Sequence, residues 1–485
     1  MELNNISTII VSLITIINIM LAGLVIFIER RNIASTWAWL MIFLFIPILG
    51  FLCYLFFGRQ VKKKNFYHLS SEEESYLKSA VDEQVQKLKY SNEFNKNDLM
   101  NKQNKLLLMN LKSATALIST DNEIEIFNDG QDKFAALFKD IKAAKEEINI
   151  QYYIIQPDSL GLKLRDELIK KAKEGIKVRV LYDEIGSRKI KSSFFKELVS
   201  NGGEVEVFFP SFLKLINFRI NNRNHRKLCI IDGKAAYIGG FNIGDEYLGK
   251  NKKFGYWRDT HLKMKGEAVD HIQGRFILDW YQAKRQYNHH IEQFMFQRKK
   301  HTGNSPVQIV DSGPHSETEH LKYMYIKLIM SAKKSIYIQT PYFIPDASFM
   351  DACKMALLTG VDLRIMIPSK PDHPFVYWAT LLHVGELLKY GAKILLYENG
   401  FLHAKTIVVD HEVSSVGTTN IDMRSFKLNF EVNAIIYDEK VAEKLNGMFI
   451  QDSIHSSELT IEKYNQRSLI IKFKEGISRL LSPIL

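Results

Sequence analysis

Two stretches of the chain carry the same pattern, HRKLCIIDGKAAYIGGFN at residues 225–242 and HAKTIVVDHEVSSVGTTN at residues 403–420. Each follows H-x-K-x4-D-x6-G-x2-N, with an apolar run between the lysine and the aspartate. One copy would fit an ordinary buried histidine beside a hairpin turn. Two complete copies in one chain are not typical of that arrangement, so we predict that both copies contribute to a single site.

The repeat extends upstream of each motif. Two further pairs of segments align in the same order: AKEEINIQYYIIQPD (144–158) with AKKSIYIQTPYFIPD (332–346), and EGIKVRVLYD (174–183) with TGVDLRIMIP (359–368). Strand and helix patterns alternate in both copies, which predicts an α/β fold of two duplicated lobes, each a mixed β-sheet flanked by helices. We place the first lobe at residues 119–300 and the second at residues 301–485.

The N-terminus predicts a transmembrane helical hairpin at residues 1–60. Residues 8–28 and 37–57 form two apolar runs, each close to the ~20 residues that cross a bilayer as a helix. A cleavable signal peptide would be shorter and would begin with basic residues. Two buried core helices are the alternative, but the runs are adjacent and basic residues follow each of them. Residues 61–118 are predicted to be a charged linker or helical segment.

Basic residues around the two runs predict a multi-pass protein with its lobes in the cytoplasm. Arg59, Lys62, Lys63 and Lys64 follow the second run and outnumber the two arginines between the runs. An excess of lysine and arginine marks the cytoplasmic side of a membrane helix. The arginines between the runs argue weakly for the opposite orientation.

Composition sets the outer limits. The chain has 485 residues, 46% of them hydrophobic, and a formal net charge of +11. Its length suits two lobes, since single cores stop growing near roughly 250–300 residues. The charge suits an anionic partner such as nucleic acid, phosphate or acidic lipid, and does not choose among them. Cys53, Cys229 and Cys353 have no paired spacing, so we expect buried thiols without a disulfide framework or zinc site.

The motif places cationic side chains together at a turn. Residues i and i+2 of a strand share a face, so His225 projects with Lys227 and His403 with Lys405. If Asp-Gly at 232–233 and Asp-His at 410–411 form two-residue hairpin turns, His225 pairs with Gly240 and His403 with Thr418. These small partners would leave room for a ligand beside each ring. Asp232 and Asp410 lie at the turns, where a structural role is expected.

This residue set favours phosphoryl chemistry. Ammonium groups and the side-chain amides of Asn242 and Asn420 would stabilise charge on phosphoryl oxygens. One neutral imidazole would attack phosphorus while the other, protonated, gives its proton to the leaving alkoxide. A carboxylate behind each ring would orient it, and we nominate Asp259 and Glu431, which follow the two motifs at comparable places.

The paired motif resembles the phospholipase D superfamily. With the apolar N-terminus, WRDTH (257–261) and NIDMRSFKLNFEVN (420–433), the whole chain resembles bacterial cardiolipin synthases. The resemblance implies that two phosphatidylglycerols are joined into cardiolipin with release of glycerol, without a metal or other cofactor. It also implies His225 as the nucleophile and His403 as the general acid. One departure is Gly240, where the family often has serine, so a hydroxyl donor is missing from the first copy.

The predicted site and partners follow from these arguments. The catalytic set comprises the motif residues His225, Lys227, Asp232, His403, Lys405 and Asp410. The supporting set comprises Asn242, Asn420, Thr418, Asp259 and Glu431. The expected partners are phosphatidylglycerol and anionic lipid of a bacterial cell membrane; nucleic acid is not expected, and the oligomeric state stays open.

The sequence has two further segments that suit membrane contact and is also compatible with other functions. Residues 211–227 mix bulky apolar side chains with arginine and lysine, and are predicted to dip into anionic headgroups. The C-terminus has apolar residues at helical spacing opposite basic ones, which fits either the membrane surface or docking on the globular body. The alternative functions are a nuclease, a phosphodiesterase or another phosphatidyltransferase of the same superfamily, and a non-catalytic lipid-binding scaffold.

Overall fold

The computed structural model describes residues 2–27, 33–47, 50, 53–54, 66–67, 69–90, 98–211, 221–286 and 303–482. The chain divides into two compact units, one of residues 1–61 with 209–221, the other of residues 62–208 with 222–485. The basic residues at positions 30, 31, 59 and 62–64, on which the predicted orientation depends, lie outside the described residues.

The first unit contains two apolar helices, α1 (Glu2–Phe27) and α2 (Ile33–Phe45). Within α1, Thr8–Phe27 is long and apolar enough to cross a membrane, whereas the apolar part of α2, Ser35–Phe45, is shorter. Val25, Phe43 and Tyr54 are buried in one small cluster. The first predicted span is therefore a helix of sufficient length, and the second is described as a helix only in part.

The second unit is built on a sheet that repeats itself. The first-lobe strands are β1 (Ile118–Phe127), β2 (Glu147–Tyr152), β3 (Lys177–Asp183), β4 (Glu204–Phe208), β5 (Arg223–Asn224), β6 (Leu228–Ile231), β7 (Ala235–Gly239), β8 (Trp257–Arg258) and β9 (His261–Lys265). The second-lobe strands are β10 (Ser305–Ser312), β11 (Ser335–Gln339), β12 (Phe343–Ile344), β13 (Asp362–Pro368), β14 (Lys393–Tyr397), β15 (Phe401–Leu402), β16 (Thr406–Val409), β17 (Val413–Gly417), β18 (Ile421–Asp422), β19 (Asn429–Ile436) and β20 (Ser456–Glu458).

The strand order confirms the predicted duplication. From the centre outward the first lobe reads β1-β9-β7-β6-β2-β3-β4, and the second reads β10-β19-β17-β16-β11-β13-β14, with β20 at its edge. The two halves join where β1 pairs antiparallel with β10. In the first half, strands β2, β3 and β4 are parallel, while β2–β6 and β6–β7 are antiparallel. In the second half, β11, β13 and β14 are parallel, while β11–β16 and β16–β17 are antiparallel, so each half is mixed.

Helices flank this sheet in both lobes. Before and within the first lobe they are α3 (Ser71–Tyr90), α4 (Asp98–Lys102), α5 (Asn104–Ala114), α6 (Gly130–Ala143), α7 (Ser159–Lys173), α8 (Lys196–Ser200) and α9 (Ala268–Lys284). In the second lobe they are α10 (His320–Ser331), α11 (Ala347–Leu358), α12 (Pro374–Leu388), α13 (Met423–Lys427), α14 (Glu439–Ile454), α15 (Ile461–Asn465) and α16 (Leu469–Leu481). The repeated Pro-Asp starts α7 and α11, because Asp158 accepts from Gly161 N and Asp346 from Phe349 N.

The segment before the first lobe is more than a linker. Leu88, Leu107 and Leu111 are buried in the hydrophobic core that contains Ile336 of β11. Helices α3 and α5 therefore belong to the packing of the second lobe. The sequence pattern did not indicate this role, because the outer faces of these helices are charged and the helices are far from the second lobe in sequence.

Each motif contains a hairpin whose loop has three residues, which corrects the predicted pairing. In the first hairpin, Leu228 pairs with Ile238 and Ile231 pairs with Ala235. In the second hairpin, Thr406 pairs with Val416, which is the same register. Lys234 N donates to Ile231 O, so Lys234 is the third loop residue. The predicted pairs His225–Gly240 and His403–Thr418 are therefore wrong by one residue.

The motif aspartates hold these turns in place. Asp232 accepts hydrogen bonds from the backbone N–H groups of residues 145, 146 and 147, at 2.8–3.0 Å for the shortest contact to each. Asp410 accepts from those of residues 333, 334 and 335, at 2.7–2.9 Å. Both aspartates have a positive φ, 53° and 52°. Each carboxylate therefore anchors its turn to the start of the neighbouring strand, β2 or β11.

Candidate active site

Each motif histidine follows a short strand that pairs with the opposite lobe. Strand β5 runs parallel to β19, and His225 N donates to Phe430 O at 2.9 Å. Strand β15 runs parallel to β8, and His403 N donates to Arg258 O at 2.7 Å. Both histidines precede strands β6 and β16 rather than lying within them. The backbone of each lobe thus positions the histidine of the other.

The carboxylates behind the histidines are exchanged between the lobes. Nδ1 of His225 lies 2.9 Å from the carboxylate of Glu431, and Nδ1 of His403 lies 2.6 Å from Asp259 Oδ2. Both carboxylates are fully buried. An anionic partner on Nδ1 favours the tautomer with its hydrogen there, which leaves Nε2 of each ring as the nitrogen with a lone pair for chemistry.

Different hydrogen-bond donors hold the two carboxylates. This difference explains why the first motif has Gly240 where the family often has serine. Thr418 Oγ1 donates to Glu431 at 2.5 Å, while Asp259 Oδ1 accepts from Thr260 N at 2.7 Å. A Cβ added at Gly240 would lie 1.9 Å from Asp259 Oδ1. Gly240 therefore leaves room for Asp259, and a backbone amide takes the place of the missing hydroxyl donor.

The motif lysines are buried beside the histidines. Lys227 Nζ donates to the backbone oxygen of His225 at 2.5 Å, and Lys405 Nζ donates to that of His403. Burial lowers the pKa of Lys227 to about 7 and that of Lys405 to about 8, partly offset by the carboxylates Glu431 and Asp259. An anion in the site would restore the pKa of both ammonium groups toward ordinary values.

Burial also dominates the titration of the rings. It lowers the pKa of His225 to about 4 against the opposing effect of Glu431, and it lowers the pKa of His403 to about 4 with a further contribution from Lys405. Burial would raise the pKa of both carboxylates, but their histidine and lysine neighbours lower it on balance. These pKa shifts favour neutral imidazoles and ionised carboxylates.

The two motif asparagines differ from each other in their hydrogen bonds. Asn242 Oδ1 accepts from Ile154 N at 3.2 Å and its Nδ2 donates to Tyr247 Oη at 3.0 Å. These bonds use the amide oxygen and one of the two Nδ2 hydrogens, so the role of Asn242 as a phosphate donor stays a prediction. Asn420 is buried too, and its Oδ1 has no hydrogen-bond partner among the described residues.

Comparison with known proteins agrees with this geometry. The family model described as "Cardiolipin synthase, PLD-like domain" matches residues 137–280 and 325–453, and "Phospholipase_D-nuclease N-terminal" matches residues 10–59. The major cardiolipin synthase ClsA of Bacillus subtilis (strain 168) is 54% identical over 485 residues, covering 99% of this chain and 100% of the relative. The chain belongs to the cardiolipin synthase family.

Further relatives support the same assignment. A cardiolipin synthase of Staphylococcus aureus (strain Mu50 / ATCC 700699) is 52% identical over 471 residues, covering 97% of this chain and 95% of the relative. The crystal structure of phosphatidylserine synthase from Haemophilus influenzae Rd KW20 has a TM-score of 0.59 at 17% identity, covering 75% of this chain and 95% of that one. The latter likeness shows the shared fold.

In this cardiolipin synthase family member, aromatic rings that the sequence did not single out pack on the histidines. The ring centroid of Tyr153 lies 5.0 Å from that of His225, in an edge-on arrangement. The centroid of Trp257 lies 5.1 Å from that of His403. Both aromatic residues stand in segments already aligned or quoted for the family resemblance, but nothing in their spacing indicates that they touch the imidazoles.

Two buried arginines stabilise the contacts by which each lobe positions the histidine of the other. Arg226 bonds both oxygens of Asp279 at 2.7 Å, and its Nε donates to Glu431 O at 3.2 Å. Arg258 bonds Asp452 at 2.8 Å and donates to Asp259 O. The prediction that Arg226 belongs to a headgroup-facing surface is wrong, because its side chain is fully buried. Residues 212–220 of that predicted surface lie outside the described residues.

Proposed function

We propose that this chain makes cardiolipin by phosphatidyl transfer through a covalent histidine intermediate. Neutral His225 attacks the phosphorus of one phosphatidylglycerol through Nε2, and the bond from phosphorus to the glycerol oxygen breaks. Protonated His403 gives its proton to that oxygen, and glycerol leaves. The exchanged Nδ1–carboxylate pairs carry this proposal, because they present two oriented imidazoles from opposite lobes.

The second half reverses the roles of the same groups. His403, now neutral, takes the proton from the glycerol hydroxyl of a second phosphatidylglycerol. The resulting oxygen attacks phosphorus, the phosphorus–nitrogen bond breaks, and His225 returns to its neutral form. The products are one cardiolipin and one glycerol, and no oxidant or other co-reactant is needed.

A difference between the two pairs supports His403 as the proton carrier. Besides His225, Glu431 accepts hydrogen bonds from Thr418 at 2.5 Å and from Asn429 at 3.2 Å, whereas Asp259 accepts one from Thr260 N besides its bond with His403. The charge of Glu431 is therefore shared among more donors. The separation from His403 to Asp259 is shorter, 2.6 Å against 2.9 Å for His225 to Glu431. Close contact with a carboxylate stabilises an imidazolium, so the second pair is better suited to hold a proton.

The lysines supply the charge that the reaction needs. A phosphodiester anion entering between the lobes raises the pKa of Lys227, Lys405 and His403 together, since all three gain a negative neighbour. Buried ammonium groups then stabilise the negative charge of the transition state more strongly than they would in water. Asp232 and Asp410 act in this scheme by holding the motif turns.

The lipid and the cell membrane are part of the same proposal. Phosphatidylglycerol is the donor and the acceptor, and the enzyme is anchored as a multi-pass protein with its lobes in the cytoplasm. The apolar helix Thr8–Phe27 and the cardiolipin synthase relatives support membrane association. Nucleic acid is not a proposed partner.

The deciding experiment gives purified protein phosphatidylglycerol alone and measures lipid products and free glycerol. Cardiolipin and glycerol should form in equal amounts, and the same turnover should persist with a chelator, since imidazole and ammonium groups carry the chemistry. Phosphatidic acid as the main product would instead support the phosphodiesterase alternative. Loss of turnover with the chelator, restored by a divalent cation, would contradict the proposed chemistry.

A further inference from the structure

The C-terminal helix α16 presents its apolar side to the outside. Leu469, Ile470, Phe473, Ile477 and Leu480 are between 40% and 82% exposed. In a helix that only docks on a globular body, these are the side chains that turn inward. The alternative that the sequence allowed, apolar docking of this helix on its own lobe, is therefore not what holds it in place.

The side that faces the protein is mostly polar. Helix α16 packs against α12, and on this side Glu475, Ser478 and Ser482 are buried and Ile471 is half-buried. Arg467 Nε lies 3.0 Å from Glu475. At 3.6 residues per turn, the centre of the exposed apolar stripe lies about 165° around the helix from the centre of this buried side. The polar side is thus committed to the protein, and the apolar stripe faces away from it.

The charges beside the stripe have one sign. Lys472 and Arg479 lie on one flank and Lys474 on the other, with Lys474 Nζ 4.8 Å from the centre of the Trp378 ring. Glu475, the acidic residue within α16, is turned inward. An apolar stripe between rows of basic side chains matches an anionic lipid surface, which takes the apolar groups below its headgroups. A symmetric contact with a second copy would bring these like charges together.

The stripe is connected to the active site through α12. Asp372, two residues before this helix, accepts a hydrogen bond from the Tyr342 hydroxyl. Tyr342 directly precedes β12, and β12 pairs with β18 immediately after the motif residue Asn420. In the first turn of α12, Phe375 is 47% exposed. The helix on which α16 lies therefore begins near the end of the second motif and carries an exposed aromatic ring at that end.

We propose that α16 lies in the plane of the membrane interface, with its apolar stripe among acyl chains and its basic residues at anionic headgroups. This contact holds the beginning of α12, and with it the entrance to the active site, against the bilayer. The second part rests on the proposed function, because it supplies a reason for the contact only if both substrates are lipids.

The test places a fluorescent probe on the stripe of the full-length protein in phosphatidylglycerol vesicles. Phe473→Cys in a Cys53→Ser background gives one reactive thiol, since Cys229 and Cys353 are fully buried. The matched control is Leu358→Cys, on an exposed apolar residue of α11. Lipids with a nitroxide quencher on the acyl chain should quench the probe at 473 at least twofold more than the probe at 358.

Several results would overturn the docking proposal. Equal quenching at the two positions would be one such result. Another would be cross-linking of position 473 to a second copy or to residues 1–61 in place of lipid contact. Stronger quenching at 473 without any cardiolipin product would support the docking and contradict the proposed function instead.

A turnover measurement gives a second, independent test. The double variant Ile470→Asp/Phe473→Asp should lower turnover of phosphatidylglycerol in vesicles about tenfold, because charged residues oppose insertion of the stripe. Turnover of a short-chain, monomeric phosphatidylglycerol should stay within about twofold, and Leu358→Asp should change neither rate. An equal loss on vesicles and monomers would contradict docking as the role of this stripe.

Discussion

At the scale of single residues, the proposed mechanism depends on which carboxylate forms a hydrogen bond with which histidine. The residue types required for phosphoryl transfer predict both histidines, both lysines and the pair Asp259 and Glu431. The exchange between lobes was not predictable, because it follows from pairing between β5 and β19 and between β15 and β8, which are far apart in sequence. No local sequence pattern indicates which distant strands pair. The side-chain hydrogen bonds of Asn242 were not predictable either, because one of its partners, Ile154, is also distant in sequence.

The first prediction separates the two carboxylates. Glu431→Gln and Asp259→Asn should each lower the steady-state rate ~10²–10⁴-fold, the usual contribution of positioned acid–base catalysis. With an activated diester whose leaving group needs no proton, the first-turnover burst should recover in Asp259→Asn and stay slow in Glu431→Gln. Thr418→Ser keeps the hydroxyl beside Glu431 and is the matched control with nearly normal activity. The opposite pattern of recovery would assign the nucleophile to His403.

The second prediction concerns pH. The nucleophile must be neutral, and the pKa of His225 is about 4, so kcat/KM should rise as pH increases through that value. The general acid His403 and the ammonium groups must be protonated, and their pKa values are about 4 for His403, about 7 for Lys227 and about 8 for Lys405. The same parameter should therefore fall in steps as pH increases, first through the His403 value and then through the lysine values. Bound phosphodiester raises the pKa of both lysines, so the alkaline fall in kcat should come at higher pH. A pH–rate profile of a monomeric lipid whose kcat/KM stays flat to ~pH 9 would contradict this role of the lysines.

At the scale of elements, the alternating strands and helices were predictable, and their boundaries only partly. The Asp-Gly and Asp-His pairs correctly mark two hairpins, but Lys234 and Glu412 look like strand residues and are the third residues of the loops. This single residue shifts the predicted pairing along the whole strand. The helices between residues 71 and 114 were obscured because their charged surfaces conceal the apolar side that packs on the second lobe.

The third prediction tests the motif aspartates as elements of the turns. Asp232→Ala removes an acceptor of three backbone N–H bonds and should lower the free energy of unfolding by about 1–3 kcal/mol at neutral pH. Despite burial, those bonds lower the pKa of Asp232. The stabilisation is therefore present above the unfolded-state pKa and disappears as pH falls through the folded-state value.

The measurement for this prediction is denaturant unfolding at several pH values. Asp166→Ala, at a surface carboxylate paired with Arg165, is the control and should change stability by less than about 0.5 kcal/mol. If Asp232→Ala is as stable as the parent protein but loses its activity, Asp232 acts in the chemistry rather than in the turn.

At the scale of the whole molecule, the duplication explains why one site needs two motifs. The lobes share a sheet through β1 and β10, and each contributes a histidine, a lysine and a carboxylate for the ring of the other. A repeat in the sequence predicts two similar lobes and their common site. The continuous sheet was not predicted, because the central pair joins strands whose patterns do not indicate their partner.

The central claim is that two equivalent histidines have unequal roles, and trapping the intermediate tests it most directly. The His403→Ala and His225→Ala variants are each incubated briefly with an activated phosphodiester lipid, denatured without acid to preserve the phosphoramidate, and digested for mass spectrometry. His403→Ala should carry the lipid mass on His225, because its leaving group needs no general acid, and His225→Ala should carry none. An adduct on His403 in the His225→Ala protein would reverse the assignment, and no adduct on either histidine under conditions in which the parent enzyme turns over would contradict the covalent mechanism.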